Sequence, residues 1–387
     1  MNRMRSHFLA NEGVSVGRTG MLLTGSGEMR TPFFMPDATK GSVKGVSLSD
    51  LESVGVGPMV VNTYHLQLAP GADFIGEAGG VHRFMGWDKP LLSDSGGYQV
   101  YSLIHGNPDM GRITEDGAEF RSVIDGAKHF LTPERAVQIQ FDLGVDMMVC
   151  LDDPRPNDVS EEEMAASVDR TIRWAKRCRE EYDRQVAERE LSDESRPLLF
   201  GVVQGGTSVG LRRKCVAALV DIGFDGYGFG GRHVDVAGNF LEEIIRETAT
   251  AIPEDKPRFA LGIGTPEDIV RCYRLGWDMF DCVIPTREGR HGRLFRWKNQ
   301  DTGYRIQDTN PSDFYETINI SNEQFKEDFS PVDETCDCEL CRNHTKAYLR
   351  HLFRVGDSLG GRLASIHNLR FYMRLMESLR HHGIDKK

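Results

Sequence analysis

The 387-residue chain is 39% hydrophobic and 27% charged, the composition of an ordinary globular enzyme, which excludes disordered and fibrous classes. Its formal net charge of −11 argues against a general nucleic-acid coat while leaving room for a local basic face. No apolar run is long enough for a membrane span, and Met1 to Glu12 lack the apolar stretch of a signal peptide, so a cytoplasmic protein is expected. The eight cysteines then read as thiols or metal ligands rather than disulfides.

Short apolar runs recur at Phe33–Met35, Pro58–Val61, Pro90–Leu92, Met147–Leu151, Leu198–Val203, Gly226–Phe229, Arg258–Leu261 and Met279–Ile284. Between several of them lie periodic, charged segments: Pro133–Asp142, Ser160–Glu190, Gly210–Asp221, Gly238–Ala251 and Pro266–Leu275. Buried strands alternating with amphipathic helices predict a parallel α/β architecture, and eight of them suggest a (β/α)8 TIM barrel. A doubly wound open sheet has the same periodicity. Residues 1–285 are expected to form the barrel with an N-terminal extension. Residues 286–387 are expected to form a basic zinc-binding module with helices that complete the barrel.

The segments that follow the runs are polar or glycine-rich: Asp94-Ser95-Gly96-Gly97-Tyr98-Gln99, Asp152-Asp153, Gln204-Gly205-Gly206, Gly230-Gly231-Arg232 and Gly262-Ile263-Gly264, with Asp281 inside the last run. In a barrel these all meet at the C-terminal face, where such folds keep their active sites. Asp94 and Asp281, carboxylates next to apolar strands, suit a nucleophile and a general acid/base for glycosidic-bond chemistry, whose transition state is cationic. Helix capping, or pairing of Asp281 with Arg287, is the structural alternative. Asp152, Gln204 and the Gly230-Gly231 backbone offer acceptors and donors for a purine-like edge, and Tyr98 a stacking surface.

After Thr286 the chain turns basic. Arg287, Arg290, Arg293, Arg296 and Lys298 stand against one acid, Glu288, and Arg342–Arg354 adds four basic residues and no acid. A solvated face and a phosphate-contacting face both fit this pattern. Cys336, Cys338 and Cys341 are spaced to wrap one soft cation, with His344, His351 or His367 as the fourth ligand of a closed, structural zinc site. Three free thiols are the alternative.

Together these motifs resemble those of the bacterial-type tRNA-guanine transglycosylases, the queuine tRNA-ribosyltransferase family, from about Thr31 to Leu369. The carriers are Asp94 to Gln99, Ile124 to His129 with Leu131 to Arg135, Val203 to Gly206, Asp278 to Arg287, and the three cysteines with His367. The resemblance implies a TIM barrel with a zinc-bearing insertion. It also implies exchange of guanine at the wobble position of GUN-anticodon tRNAs (aspartate, asparagine, histidine, tyrosine) for a 7-deazaguanine, through a covalent enzyme–RNA intermediate.

By the same resemblance Asp281 is the nucleophile and Asp94 the general acid/base. Asp94, Ser95, Gly96, Gly97, Tyr98, Asp152, Gln204, Gly231, Arg232 and Leu261 line the base site. Gly262, Ile263, Gly264, Thr265, Pro266, Glu267 and Asp268, with Thr286, Arg287, Glu288, Gly289 and Arg290, grip the RNA. Cys336, Cys338, Cys341 and His367 hold one zinc per subunit, and the subunits form a homodimer.

The chain departs from the family pattern at Asp153-Pro154-Arg155 and at Arg232-His233, which by the resemblance face the base's 7-substituent. Val234 matches the pattern that favours the small preQ1, whereas Asp152-Asp153 has a eukaryotic flavour that keeps queuine salvage open. Arg232 is expected to turn outward or to pair with Asp153. A paralogue acting on DNA or another tRNA position, a non-catalytic tRNA-binding subunit and a plain barrel glycosidase are the remaining alternatives; the second should have lost an aspartate, and both are present, while the third does not predict the three-cysteine cluster.

Overall fold

The computed structural model describes residues 6–10, 17–298 and 310–381. The expectations placed on Met1 to Glu12 and on the tail to Lys387 therefore fall partly outside the described residues.

Eight parallel strands form one sheet: β1 (Phe33–Pro36), β2 (Met59–Asn62), β3 (Leu91–Asp94), β4 (Met147–Val149), β5 (Leu198–Val203), β6 (Gly226–Phe229), β7 (Arg258–Ala260) and β8 (Met279–Cys282). They neighbour one another in chain order, and β8 pairs with β1, Met279 opposite Phe33. The ring closes between β1 and β2, where a parallel bridge joins Asp37 to Val60 and the Ala38 amide donates to the Val60 carbonyl at 2.7 Å. That bridge distinguishes a barrel from an open doubly wound sheet. Inward side chains of Phe33, Met35, Leu92, Val149, Phe200, Val202 and Phe259 fill the interior, so the barrel is a packed core with a mouth rather than a pore.

The strands stop short of the apolar runs. Leu151, Leu261 and Ile284 lie beyond the last paired residue, where the chain leaves the sheet to build the mouth. The outer helices begin on capping residues: Thr132 before α1 (Pro133–Leu143), Ser160 before α2 (Glu161–Glu188), Ser208 before α3 (Val209–Ile222) and Thr265 before α5 (Pro266–Arg274). The helix expected from Gly238 is shorter. α4 covers Glu242–Ala251, because Asp235 accepts the amides of Ala237 and Asn239 at 2.9 and 2.8 Å and holds the preceding residues in a loop.

Three antiparallel sheets are built from strands that the sequence did not announce. Ser6–Ala10, Arg18–Thr24 and Gly27–Thr31 form a sheet at the N-terminal end of the barrel, tied down by Arg18 Nε donating to Asp278 at 2.8 Å. Gly111–Ile113, Ala118–Arg121 and Lys128–Leu131 form a second sheet between β3 and α1, in which the Ile124-to-His129 motif runs from the last turn into the last strand. Arg293–Trp297 pairs with Tyr315–Asn319 in the region after β8.

The final helix, α6 (Ser358–His381), closes the outer layer. Tyr372 donates to the Gly264 carbonyl at 2.6 Å, Arg380 to Pro32 at 2.7 Å, and Tyr273 of α5 donates to Leu379 at 3.1 Å. Among the described residues no helix is long and apolar enough to cross a membrane.

Candidate active site and metal centre

A cavity of about 630 Å³ opens at the C-terminal mouth, lined by Asp94 through Gln99, Asp152, Gln204, Gly230 to Val234, Leu261, Gly262 and Asp281. A larger hollow of about 860 Å³ lies at the opposite end, against Met29, Phe33, Pro58 and Pro90. None of the strand-end polar groups reaches it, and barrel chemistry belongs to the C-terminal face.

Asp94 ends β3 and is held from three sides. The Asn62 amide group donates to one oxygen, and the backbone amides of Thr63 and Gly96 donate to the other at 3.0 and 3.2 Å. Burial pushes its carboxyl up to about 7; the Thr63 and Gly96 amides oppose the rise, while Asp37 and Asp281 add to it. Asp281, on β8, accepts the Gly262 amide at 2.6 Å. Burial raises its carboxyl to about 7 as well, again with Asp37 adding to the rise. The alternative pairing with Arg287 is not present: Arg287 lies against Glu288, at 3.6 Å. Two carboxyls near neutrality at one mouth can divide the labour of nucleophile and acid/base.

Asp152, after β4, accepts the Gln204 side-chain amide at 2.7 Å, and burial lifts its carboxyl to about 6 despite that bond. A Cβ at Gly230 would meet Val202 Cγ1 at 2.7 Å and the Gln204 amide, so those side chains would have to shift. Leu261 lies across Gly228 at the cavity floor. Ser95, Gly96 and Gly97 are buried in the turn into the helix Gly97–Gly106, and Tyr98 stands 64% exposed at the rim.

Beside Asp152, Asp153 is fully buried and bonded to Arg170 and Arg155, at 2.6 and 3.2 Å. The expected pairing of Arg232 with Asp153 therefore does not form, because two other guanidinium groups already occupy that carboxylate. Arg232 is exposed, its outward alternative, with its backbone carbonyl accepting from Asn157 at 3.1 Å.

Three supporting groups were not singled out from sequence: Asp37, which lines the cavity just past β1, Asn62 beneath Asp94, and Arg212. Asp37 and Asn62 obey the same strand-end rule as the others and were within reach of it. Arg212 carries no local signal. It is buried, donates to the carbonyls of Gly206, Val203 and Gly230 at 3.0, 2.9 and 3.0 Å, and lies 4.0 Å over the Phe229 ring. Burial lowers its guanidinium to about 9.

The residues expected to grip RNA divide by position. Gly262 and Arg287 are exposed, and Arg290 is partly exposed with no ion pair among the described residues. Ile263, Gly264, Pro266, Asp268, Thr286 and Gly289 are buried. Gly264 sits where any Cβ would strike Cys282, Gly289 backs onto Ser365, and Asp268 accepts from Thr265 and Arg271 at 2.7 and 3.0 Å. Thr265 caps α5, Glu267 accepts the Tyr315 hydroxyl, and Glu288 sits between Arg287 and Arg293. Several basic residues after Thr286 are also engaged: Arg296 with Glu316, Lys346 with Asp328, and Arg350 with Glu323.

Cys336, Cys338, Cys341 and His367 come together with their ligand atoms all within 4.8 Å of one another. His367 Nδ1 faces the sulfurs of Cys341 and Cys338 at 3.2 and 3.6 Å, while Nε2 donates to the Phe295 carbonyl at 2.7 Å, which turns Nδ1 toward the thiolates. His344 instead stacks on Tyr348, at 4.8 Å. Three thiolates and one imidazole fit a structural zinc, leave no open position, and would contribute folding energy there.

The chain matches the family model described as queuine tRNA-ribosyltransferase over residues 14–386. It is 42% identical over 363 residues to the queuine tRNA-ribosyltransferase of Halothermothrix orenii, covering 94% of this chain and 89% of that one. It is 41% identical over 380 residues to that of Caldanaerobacter subterraneus subsp. tengcongensis, covering 98% and 93%. For the Shewanella piezotolerans protein of the same name, identity is 42% over 363 residues, covering 94% and 89%.

Proposed function

The chain belongs to the queuine tRNA-ribosyltransferase family, and from that premise we propose that it exchanges the guanine at wobble position 34 of GUN-anticodon tRNAs for a 7-deazaguanine, with preQ1 as the incoming base. The observation that carries this reading is the convergence of Asp94 and Asp281 on one cavity beside the Asp152–Gln204 edge.

In this reading Asp281 attacks C1′ of the nucleotide. A C1′–O bond forms, the C1′–N9 bond breaks with its electron pair on the base, and Asp94 protonates the departing guanine. The incoming base then gives its N9 proton to Asp94, and N9 displaces Asp281 from C1′. Two displacements retain configuration, and Asp94, having given its proton to guanine and taken one from the incoming base, ends protonated as it began. Asp152 accepts N–H groups of the base, Gln204 and the Gly231 backbone complete the polar edge, and Tyr98 stacks on the ring. An anticodon loop suits the site because its bases can be splayed out. Gly262, Arg287 and Arg290, the surface members of the two RNA segments, meet its backbone.

The zinc set holds the segment around Cys336 against α6 and takes no part in the exchange. A homodimer is part of the same proposal, supported by the exposed aromatic side chains of Phe74, Phe84 and Tyr348.

The test is base exchange. The protein is incubated with a tRNA bearing G34 and with preQ1 or queuine separately, and the base at position 34 is identified by mass spectrometry. Incorporation of preQ1 alone is expected. Queuine alone would make this a salvage enzyme, and entry of neither into tRNA by folded, zinc-loaded protein would overturn the reading and direct attention to DNA or another tRNA position.

A further inference from the structure

Asp37 is a third carboxylate at the mouth. Met35 lies opposite Asp281 across the β1–β8 pairing and points into the barrel interior, and Asp37, two residues further on, shares that inward face and lines the same cavity as Asp94 and Asp281. Its side chain is fixed by the Thr39 amide at 2.6 Å and by the Thr39 hydroxyl. The hydrogen-bond donors to the three carboxylates are Thr39 for Asp37, Asn62, Thr63 and Gly96 for Asp94, and Gly262 for Asp281, and all of them are neutral.

Resting on the exchange reading, we propose that Asp37 is a positioning residue of that reaction, whose negative charge biases the Asp94–Asp281 pair toward holding one proton. The exchange requires that state. Asp281 must be ionised to attack C1′, and Asp94 must carry the proton that the leaving guanine takes and the incoming base restores. With neutral donors only, a pair of carboxylates loses its last proton as pH rises, and a third negative charge nearby delays that loss. The rise of both carboxyls, to which Asp37 contributes, is in keeping with this arrangement.

Asp37 also acts on His65 and Arg290. Lys40 is exposed on the same loop. His65, after β2, is held below its ordinary value by burial and by Lys40, with Asp37 opposing. Arg290, after β8, is lowered by burial and by Arg287, again with Asp37 opposing. Buried Cys282, beside Asp281, is pushed up by burial and stays a thiol. Neither His65 nor Arg290 forms an ion pair with Asp37 among the described residues.

The experiment compares wild type, Asp37→Asn and Asp37→Glu. Asparagine keeps the acceptor for Thr39 and removes the charge; glutamate restores the charge. In the exchange assay, the alkaline limb of the kcat profile, where the shared proton is lost, is expected to move to lower pH by roughly half a unit or more in Asp37→Asn, and to return toward the wild-type position in Asp37→Glu. In parallel, ¹³C carboxyl titration of the free proteins reads Asp94 and Asp281 without any RNA. Both should titrate lower in Asp37→Asn.

Superimposable titrations in a variant with wild-type melting and zinc content would overturn the inference, even if exchange proceeds. A titration shift in a protein that exchanges no base would leave the electrostatic coupling in place and remove the exchange reading. Loss of folding in Asp37→Asn passes the decision to Asp37→Glu and Asp37→Ser, titrated in the same way; unmoved carboxyls in Asp37→Ser would equally sink the proposal.

Discussion

Gln204 donates its side-chain amide to Asp152 at 2.7 Å, so the two side chains that the proposed function assigns to the base edge are bonded to each other. A bound purine would compete for the Asp152 oxygens while the Gln204 bond keeps the carboxylate aimed. Asp152→Asn should raise KM for the incoming base by roughly 10-fold or more. Because the Asp152 carboxyl sits at about 6, wild-type base affinity should weaken as pH falls through that value. The asparagine variant should lack this dependence, as a titration of base binding against pH would show.

Asp281→Asn should abolish the RNA–protein adduct on denaturing gels. It should also stabilise the protein at alkaline pH. The Asp281 carboxyl is raised to about 7 in the fold, so the folded state binds the proton more tightly than the unfolded chain does. Stability from this group is therefore fullest below about pH 4 and declines as pH rises to about 7. At pH 8 the variant should be more stable by on the order of 1–3 kcal/mol, with the gain shrinking toward pH 4. Urea unfolding at the two pH values measures it.

Cys338→Ser should lose zinc and lower Tm, since a four-ligand structural site couples metal binding to folding. Metal analysis and thermal melting of the purified variant are the readouts. Full zinc occupancy with an unchanged Tm would remove Cys338 from the ligand set.

Arg212→Met should cost roughly 3 kcal/mol or more, because three buried carbonyls lose their charge-assisted donor at once. The same change should raise KM for the base, since two of those carbonyls belong to Val203 and Gly230, which immediately precede Gln204 and Gly231. Chemical denaturation and steady-state kinetics separate the two effects.

Arg290→Ala should weaken tRNA binding and reduce the slope of log Kd against log salt by about one. A slope identical to wild type would place Arg290 away from phosphate.

The barrel was legible because each of its strands is a compact apolar run ended by polar or glycine residues, and because periodic, charged segments such as Pro133–Asp142, Ser160–Glu190 and Pro266–Leu275 lie between them. Ala118–Arg121 and Lys128–Leu131 were not, since strands of four residues that expose alternate side chains leave too few apolar positions to register a period. Asp94 and Asp281 stood out as carboxylates beside apolar strands. Arg212 did not, because its meaning lies in three carbonyls that only the fold assembles around it. The basic stretch after Thr286 misleads in part for the same reason: Glu316, Asp328 and Glu323 neutralise its members from elsewhere in the chain.

The pairing of Met279 with Phe33 sets a timetable for synthesis on the ribosome. Strand β1 emerges early yet has no partner on one side until β8 has left the exit tunnel, and α6 follows later still. Asp94 is made well before Asp281, which lines the same cavity. A nascent chain halted before β8 thus holds an incomplete ring with two unpaired edges, inactive and in need of protection from neighbouring chains.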